Sequence, residues 1–427
     1  MYKALRGMKD ILPDSSKIWQ ILEANATVVL HQFGYREIRT PVLEEKGLFV
    51  KSIGEETDIV TKEMFSFRDR GQRDVVLRPE GTAPIVRAYL EANLHKQDPF
   101  QKLYYIGPFF RAERPQAGRL RQFYQIGAET IGSLNPAVDA EIIILLAAIL
   151  DKNGIKNYTI RLNNLGCHND KIRLSKALKE QFSGQKALLC DDCKKRLQKN
   201  PLRILDCKKD NCRTVARGAL KSIDFLCKGC KDHFSGVKEY LKGTPVEKRC
   251  SDDPYIVRGL DYYTSTVFEI SHPALGAQDA IGAGGRYDNL IKDMGGPAIG
   301  AVGFALGIER MLIACAKDMT VFKGSAAVYV ATIGEKAAKE GFRITNELRN
   351  ANIECNMNYE GSSLKSQMRD ADKLRSALTI IIGDDELAKG EAVLRDMKTK
   401  EQLNIKFSDI VNIVSEKLKA YSLQPKA

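Results

Sequence analysis

The sequence predicts an α+β protein of two or three domains, on three observations. The chain has 427 residues, which is too long for one ordinary hydrophobic core. Its 44% hydrophobic and 28% charged residues are typical of a folded, soluble chain. Up to about residue 320, β-like runs follow one another without the regular helix that parallel strands need between them. An antiparallel sheet with helices packed on it is therefore expected.

The N-terminal part begins with a helix and continues with β-like runs. Apolar side chains at helical spacing over residues 15–33 predict a long first helix, capped by Asp14 or Ser15. The following run predicts a short strand that ends at Pro41, whose missing N–H favours the edge of a sheet. The apolar run 142–150 is far shorter than the roughly 20 residues of a membrane span and predicts a buried helix. The remaining strands are predicted in MFSFRD, DVVLRP, KLYYIGPFFRAE, RQFYQIGAETIG and YTSTVFEIS.

The C-terminal part has a different pattern. AAVYVAT is followed by a helical run over 335–350, by IECNMNY, by a second helix around 363–374 and by LTIIIG. This is a βαβαβ order, typical of a small α/β domain. We expect such a domain over residues 326–427, joined by the polar linker KGS at 323–325. Residues 1–325 then form a larger part, interrupted by an insertion at 165–254.

Positive charge is concentrated in one segment. The chain carries a net charge of +12, but residues 152–250 alone hold 24 Lys and Arg against 10 Asp and Glu, which is +14. The rest of the chain is therefore close to neutral. A nucleic-acid phosphate backbone is the expected partner, and a solubilising surface is the alternative.

Asp10 and Asp14 interrupt the N-terminus where a secretory signal would be apolar, so a cytoplasmic location is expected.

The familiar nucleotide and metal motifs are absent from the sequence. No GxxxxGK[ST] occurs, the glycine run at 282–285 lacks the third glycine of the dinucleotide fingerprint, and no HExxH occurs. Residues 109–132 instead form two β-like runs joined by a basic loop. Alternate residues of a strand share a face, so Arg111 and Glu113, like Gln125 and Glu129, are expected to project into one cleft. This suits a charged, polar small molecule, and a salt-bridged hairpin surface is the alternative.

Residues 109–132 resemble motif 2 of the class II aminoacyl-tRNA synthetases. GYREIRTPVLE resembles motif 1 and AVGFALGIERMLIA resembles motif 3, in the order of that class. Within it, RPEGT at 78–82, VRGLDYYTSTVFEI at 257–270 and GAGGRYDNLI at 282–291 resemble the signatures of histidyl-tRNA synthetases. The resemblance covers nearly the whole chain. It implies a class II antiparallel sheet flanked by helices, an inserted domain and a C-terminal α/β anticodon-binding domain.

The resemblance implies a histidine–tRNA ligase. Such an enzyme forms histidyl-adenylate and pyrophosphate from histidine and ATP, with Mg²⁺, and transfers histidine to the 3′-terminal adenosine of tRNA(His). It also implies a homodimer assembled through the motif 1 region and no membrane association. The alternative is a non-catalytic, synthetase-like regulatory subunit of histidine biosynthesis. That alternative is disfavoured because such proteins typically lack the C-terminal domain, whereas this chain has it and keeps Arg111, Arg258 and Arg310.

The same resemblance implies roles for individual residues. Arg258 and Arg111 would meet the charge that grows on the α-phosphate. Glu113 would orient either the adenine amino group or Arg111. The ATP set is Arg111, Glu113, Phe123 and Arg310. The histidine set is Glu80, Gly81, Thr82 and Gln125 for the amino and carboxylate end, with Glu129, Tyr262 and Tyr263 around the imidazole. The tRNA acceptor set is Gln116 and Arg119. Simple strand packing is the alternative for the two tyrosines. Gly282, Gly284 and Gly285 are interpreted as a close approach of backbone to substrate.

Cysteines are concentrated in the insertion, which holds eight of the ten. Cys190-x-x-Cys193 and Cys227-x-x-Cys230 together suggest a four-thiolate zinc site, with Cys207 and Cys212 as competing ligands. Reduced thiols without metal are the alternative. Because the family that the chain resembles needs no zinc as a whole, a structural zinc ion is not favoured and no metal ligands are assigned.

Overall fold

The computed structural model of the chain describes residues 2–207, 209–315 and 328–423. The chain divides into two compact units, Met1–Asp318 and Met319–Ala427. The expected linker at 323–325 lies outside the described residues. None of the described helices combines the length and the apolar character that crossing a membrane requires.

The first unit contains eleven strands and eleven α-helices within its described residues. The strands are β1 (Arg36–Glu37), β2 (Leu43–Glu45), β3 (Ser66–Arg68), β4 (Asp74–Leu77), β5 (Gln101–Phe110), β6 (Gln122–Ile131), β7 (Thr159–Asn164), β8 (Cys250–Asp252), β9 (Thr264–Ser271), β10 (Ala280–Arg286) and β11 (Ala301–Gly307). The helices are α1 (Pro13–Gln32), α2 (Lys46–Ile53), α3 (Thr82–Glu91), α4 (Leu94–Gln97), α5 (Pro136–Lys152), α6 (His168–Ser183), α7 (Asp191–Lys199), α8 (Asp210–Arg217), α9 (Lys228–Leu241), α10 (Leu290–Asp293) and α11 (Ile308–Cys315).

Eight strands form the main sheet of this unit, in the order β1-β5-β6-β11-β10-β9-β7-β8. Along this order, each pair of neighbouring strands between β5 and β7 is antiparallel. The edge strands β1 and β8 are parallel to their neighbours β5 and β7. The predicted antiparallel sheet is therefore confirmed, and β1 is an edge strand as expected, although it ends at Glu37 and not at Pro41. Strands β2, β4 and β3 form a separate small sheet.

Two helices pack along this sheet. Helix α5 contains the apolar run at 142–150, and most of its side chains are buried, as predicted. Its Asp139 forms a buried ion pair of 3.3 Å with Arg286 of β10. Helix α1 begins at Pro13 after Leu12 and has no side-chain cap, so the predicted cap at Asp14 or Ser15 is wrong. Proline suits the first helical position because its φ is already helical and that position needs no N–H.

The insertion contributes helices α6 to α9 and a small core of its own. Leucines and phenylalanine of α6 pack there against α7, α8 and the short 3-10 helix Pro201–Ile204. Four cysteines belong to this core: Cys190, Cys193, Cys207 and Cys212. The segment is therefore folded against itself and is not a simple extended loop.

The second unit is a small α/β fold. Its strands are β12 (Val328–Thr332), β13 (Cys355–Met357), β14 (Leu378–Ile382), β15 (Glu391–Asp396) and β16 (Gln402–Lys406), and its helices are α12 (Glu335–Asn350), α13 (Leu364–Lys373), α14 (Asp384–Lys389) and α15 (Ile410–Leu423). The sheet order is β13-β12-β14-β15-β16, with the first three strands parallel. The predicted βαβαβ order is present, and the antiparallel hairpin β15–β16 extends it.

Candidate active site

A cavity of about 310 Å³ lies against strands β5, β6, β9, β10 and β11 of the first unit. This size is suited to a small-molecule ligand. Of the residues with a predicted role in binding or catalysis, the glycines at 282–285 aside, all but one line it: Glu80, Gly81, Thr82, Arg111, Glu113, Arg119, Phe123, Gln125, Glu129, Arg258, Tyr262, Tyr263 and Arg310. The exception is Gln116, which lines a neighbouring depression beside the N-terminal segment.

Glu80 stands at the start of helix α3. Its carboxylate accepts hydrogen bonds from the backbone N–H of Thr82 at 2.8 Å and of Ala83 at 2.9 Å. The first amides of a helix have no partner within the helix, so the carboxylate satisfies two of them. The Tyr262 hydroxyl donates to the same carboxylate at 3.3 Å. Burial raises the pKa of Glu80 above its usual value, against the lowering effect of these N–H groups.

Glu129 on β6 is held from both sides. The Thr82 hydroxyl donates to one carboxylate oxygen at 2.8 Å, and the Tyr287 hydroxyl donates to the other at 2.6 Å. Burial raises the pKa of Glu129 to about 8. Its neighbour across the sheet is Gly303 of β11, where a Cβ would stand only 1.7 Å from the carboxylate oxygen. Glycine therefore makes the space that the Glu129 side chain occupies.

Two polar atoms in the cavity wall are buried and have no hydrogen-bond partner among the described residues. They are Oε1 of Gln125 and Nε of Arg258. A buried polar group without a partner is costly, so a bound ligand is the natural partner for both atoms. The rings of Tyr262 and Tyr263 stand 4.7 Å apart beside them and face the same cavity. Both tyrosines also belong to the buried hydrophobic core of this unit, so packing stays the alternative to a binding role.

Arg258 is anchored by a carboxylate that the sequence did not single out. Its Nη1 donates to Glu269 at 2.6 Å, and the other oxygen of Glu269 accepts from Arg161 at 2.5 Å. Burial lowers the pKa of Arg258, but Glu269 first, and then Tyr263 and Asp206, outweigh it and raise that pKa. The guanidinium is therefore a permanent positive charge. A single carboxylate in the otherwise apolar run TVFEI is the feature of the sequence that could have marked Glu269 as a buried partner of an arginine.

Arg111 and Glu113 project from the end of β5. The Nε of Arg111 donates to the carbonyl of Pro79 at 2.9 Å, and its guanidinium lies 5.6 Å from the Phe123 ring centre. Glu113 accepts from Arg119 at 2.8 Å and lies 4.0 Å from Arg111. The closer partner of Glu113 is therefore Arg119. The predicted convergence of Arg111 and Glu113 in one cleft is observed.

Arg310, near the start of α11, links three parts of the cavity wall. Its Nε donates to the carbonyl of Gly118 at 3.1 Å, and its Nη1 donates to the carbonyl of Ala280. Burial first, and then the charge of Arg119, lower the pKa of Arg310 to about 10. The side chain still carries its charge at neutral pH. The preceding Glu309 accepts from the Tyr124 N–H, and burial raises its pKa to about 7.

Sequence reasoning missed some of the residues that shape the cavity and misjudged two glycines. Tyr287, whose hydroxyl donates to Glu129, lies in the run GAGGRYDNLI, but the sequence predicted no role for it. Gly284 and Gly285 are predicted to bring backbone close to the substrate, but neither lines the cavity. A Cβ at Gly284 would stand 2.2 Å from the carbonyl of Gly303, so glycine there allows strands β10 and β11 to pair. Gly282 does line the cavity.

An antiparallel sheet that presents an F-R-x-E hairpin, a returning strand and a helix-borne arginine to one cavity is the arrangement expected of class II aminoacyl-tRNA synthetases. The family model for histidyl-tRNA synthetase matches residues 7–311, and the model for an anticodon binding domain matches residues 327–417. The chain therefore belongs to the histidyl-tRNA synthetase family.

Individual relatives agree with the family match. The chain is 47% identical to a histidine–tRNA ligase of Halothermothrix orenii, over 96% of this chain and 98% of the relative. It is 46% identical to one of Geobacter metallireducens, over 95% and 97%. The crystal structure of apo histidyl-tRNA synthetase from S. aureus has a TM-score of 0.80 at 34% identity, and the match covers 97% of this chain and 99% of that one. The prediction of a histidine–tRNA ligase is confirmed at the level of the family, and the regulatory subunit is not favoured.

Proposed function

We propose that this chain activates histidine with ATP and then transfers the histidyl group to the 3′-terminal adenosine of tRNA(His). The observation that carries the proposal is that one cavity is lined both by buried carboxylates, Glu80 and Glu129, and by three arginines, Arg111, Arg258 and Arg310. The carboxylates suit a cationic amino acid, and the arginines suit a polyphosphate.

The histidine end of the cavity consists of Glu80, Gly81, Thr82, Gln125, Glu129, Tyr262 and Tyr263. Gln125 offers a buried acceptor without a partner among the described residues, which suits the α-amino group of the amino acid. Glu129 lies deep in the wall, where a carboxylate can pair with an imidazole nitrogen. A pocket whose polar groups need both ring nitrogens rejects analogues that lack them by roughly 10⁴ or more.

The ATP end consists of Arg111, Glu113, Phe123 and Arg310. Phe123 is proposed to stack against the adenine, and Arg111, which lies beside that ring, is proposed to bind the α-phosphate. Arg310 would reach the γ-phosphate. Mg²⁺ enters with the β- and γ-phosphates and is part of the ATP substrate. Guanidinium groups bind phosphate through paired N–H donors, and they meet the negative charge that grows on phosphate oxygens.

Activation is an in-line attack of the histidine carboxylate on the α-phosphorus, and pyrophosphate leaves. Arg258 is the second candidate catalytic residue beside Arg111. Its Nη1 is held by Glu269, and its buried Nε has no partner within the described cavity wall, so it can donate to the reacting carboxylate or phosphate. A donor held in place before the reaction stabilises developing charge without a cost of reorientation.

The tRNA step involves the rest of the chain. Residues 326–427 are proposed to bind the anticodon, in agreement with the family match over 327–417. The insertion at 165–254 is proposed to hold the acceptor arm through its positive charge, and Gln116 and Arg119 to contact the acceptor end. A homodimer formed through the motif 1 region, acting in the cytoplasm, completes the proposal.

The test is amino-acid-dependent exchange of pyrophosphate into ATP, run with each of the twenty amino acids without tRNA. Exchange with histidine alone is expected. The variant Arg111→Ala should lose this exchange, which excludes a contaminating synthetase. Absence of exchange with every amino acid would refute the activity and restore the regulatory alternative.

A further inference from the structure

Four cysteines of the insertion converge on one point outside the cavity. Each of Cys190, Cys193, Cys207 and Cys212 offers a sulfur atom, and these atoms all lie within 4.8 Å of one another. We propose that the four thiolates bind one structural Zn²⁺ ion. The competing ligands Cys207 and Cys212 complete this group, and the expected pairing of the two CxxC units is wrong, because Cys227 and Cys230 belong to a separate group with Cys167 and Asp170.

The spacing of the sulfur atoms fits a tetrahedral metal site. A Zn–S bond of about 2.3 Å places the sulfur atoms of a tetrahedron about 3.8 Å apart. The sulfur atoms of Cys190 and Cys207 are 3.9 Å apart. A disulfide would need about 2.05 Å, and all four cysteines are free. The site is also closed, since Cys193, Cys207 and Cys212 are buried.

The backbone around the four cysteines stabilises thiolates. Cys190 immediately precedes helix α7 and Cys193 lies in its first turn, whereas Cys212 lies in the first turn of α8. Two helix N-termini, each with partial positive charge, therefore meet at the sulfur atoms. The backbone N–H of Cys190 also donates to the sulfur of Cys212 at 3.2 Å. Hydrogen bonds to ligand atoms of this kind orient metal ligands.

The second group of cysteines has a different explanation. The Asp170 carboxylate accepts hydrogen bonds from the backbone N–H of Cys167 at 3.3 Å and of Cys227 at 3.1 Å, and it pairs with Arg173 at 2.6 Å. Its oxygens are thus used to cap the starts of α6 and α9. This group therefore provides a matched control for the four-thiolate site.

The proposed metal closes a loop that reaches the cavity. Between Cys193 and Cys207, Arg196 and Arg203 bind Asp58 at 2.7 and 3.1 Å, and Asn200 donates to Asp261 at 3.0 Å. Asp206, the residue before Cys207, lines the cavity itself. Zinc would therefore fix a wall of the active site from the outside, without taking part in the chemistry.

The proposal is tested by metal analysis of the full chain, purified without chelator and loaded with Zn²⁺. Cys190→Ser/Cys193→Ser is expected to bind one zinc ion per chain fewer than the parent, whereas Cys227→Ser/Cys230→Ser leaves the four-thiolate site loaded. Equal zinc content in the parent and in Cys190→Ser/Cys193→Ser would overturn the proposal, as would a parent that binds none.

A second measurement covers the case in which the serine variants do not fold. The parent chain is loaded with Co²⁺ in place of Zn²⁺, and its absorption spectrum is recorded. Intense thiolate-to-cobalt bands together with the visible bands of tetrahedral Co²⁺ are expected. A spectrum of octahedral Co²⁺ without thiolate bands would show that the cysteines do not bind metal, whatever the variants do.

Discussion

Arginines in the cavity differ in how many of their donors are already used. The Nε and Nη1 of Arg310 donate hydrogen bonds to backbone carbonyls of the cavity wall, so fewer of its donors are left for a ligand. Arg258 gives Nη1 to Glu269, and its Nε is buried without a partner among the described residues. Because its carboxylate partner holds it rigidly, Arg258 is the arginine best prepared to serve a transition state.

Replacing Arg258 by alanine should therefore slow histidine activation more than it weakens histidine binding. The loss of one preorganised donor typically lowers the rate by roughly 10² to 10³. Single-turnover formation of the adenylate gives the rate, and its dependence on histidine concentration gives the binding constant. Arg161→Ala is the control, since Arg161 shares Glu269 but does not line the cavity. Near-normal activation in Arg258→Ala would remove Arg258 from the mechanism.

Glu129 makes the stability of the empty protein depend on pH. Burial raises its pKa in the folded chain to about 8, from an ordinary value of 4.5. The folded chain therefore binds the Glu129 proton more tightly than the unfolded chain does. The stabilisation from this protonated carboxyl is fully present below pH 4.5 and is lost as the pH rises through about 8. Between these two values, the free energy of unfolding should fall by about 1.4 kcal/mol for each pH unit. Denaturant unfolding of the parent and of Glu129→Gln should show this slope in their difference, and parallel curves would contradict it.

The identity of most cavity residues could be predicted from sequence, but their partners could not. Arg111, Gln125 and Glu129 follow from strand alternation together with a recognised motif. Tyr287 and Gly303 act through contacts with Glu129 across the sheet, and the register that creates these contacts is a property of the folded chain. No local pattern marks them.

At the scale of elements, strand β11 contributes space to the site through a missing side chain. Gly303→Ala would place a methyl group 1.7 Å from the Glu129 carboxylate, which must then leave its two hydroxyl partners. Each hydrogen bond is worth about 0.5–1.5 kcal/mol net, so the loss of both should raise histidine KM about tenfold. In Gly307→Ala of the same strand, the nearest atom is 3.5 Å away, and KM should stay near the parent value. Equal KM values in both variants would contradict this role.

The elements themselves were predictable where they carry a strong local period. Helix α12 is observed over 335–350, as predicted. The ends of strands β5 and β6 differ from the ends of the predicted runs by only a few residues. The start of α1 was misplaced because Pro13 initiates it without a side-chain cap. The CxxC spacing favoured Cys227 and Cys230 over the competing ligands Cys207 and Cys212, because only the folded chain shows that the starts of α7 and α8 meet.

At the scale of the whole molecule, the positive charge of the insertion is divided between two uses. Part of it is consumed internally, since Arg196 and Arg203 pair with Asp58, and Lys199 pairs with Glu56 at 2.5 Å. These contacts attach the insertion to the sheet-bearing part of the same unit. Another part remains on the surface, including the exposed Lys176 and Lys179 of α6 and the exposed Lys186 just after it. Only the second part is available to a polyanion.

Neutralising that second part should therefore weaken tRNA binding without affecting histidine activation. For Lys176→Gln/Lys179→Gln/Lys186→Gln, the slope of log K against log salt should flatten by roughly 0.7–0.9 for each phosphate that the variant no longer neutralises. Filter binding of tRNA(His) over a salt series measures the slope, and pyrophosphate exchange without tRNA should match the parent. Lys199→Gln is the control, because Lys199 pairs with Glu56 at 2.5 Å and belongs to the charge that is used internally. An unchanged slope in the triple variant would place the phosphate-binding residues elsewhere and leave the insertion charge a solubilising surface.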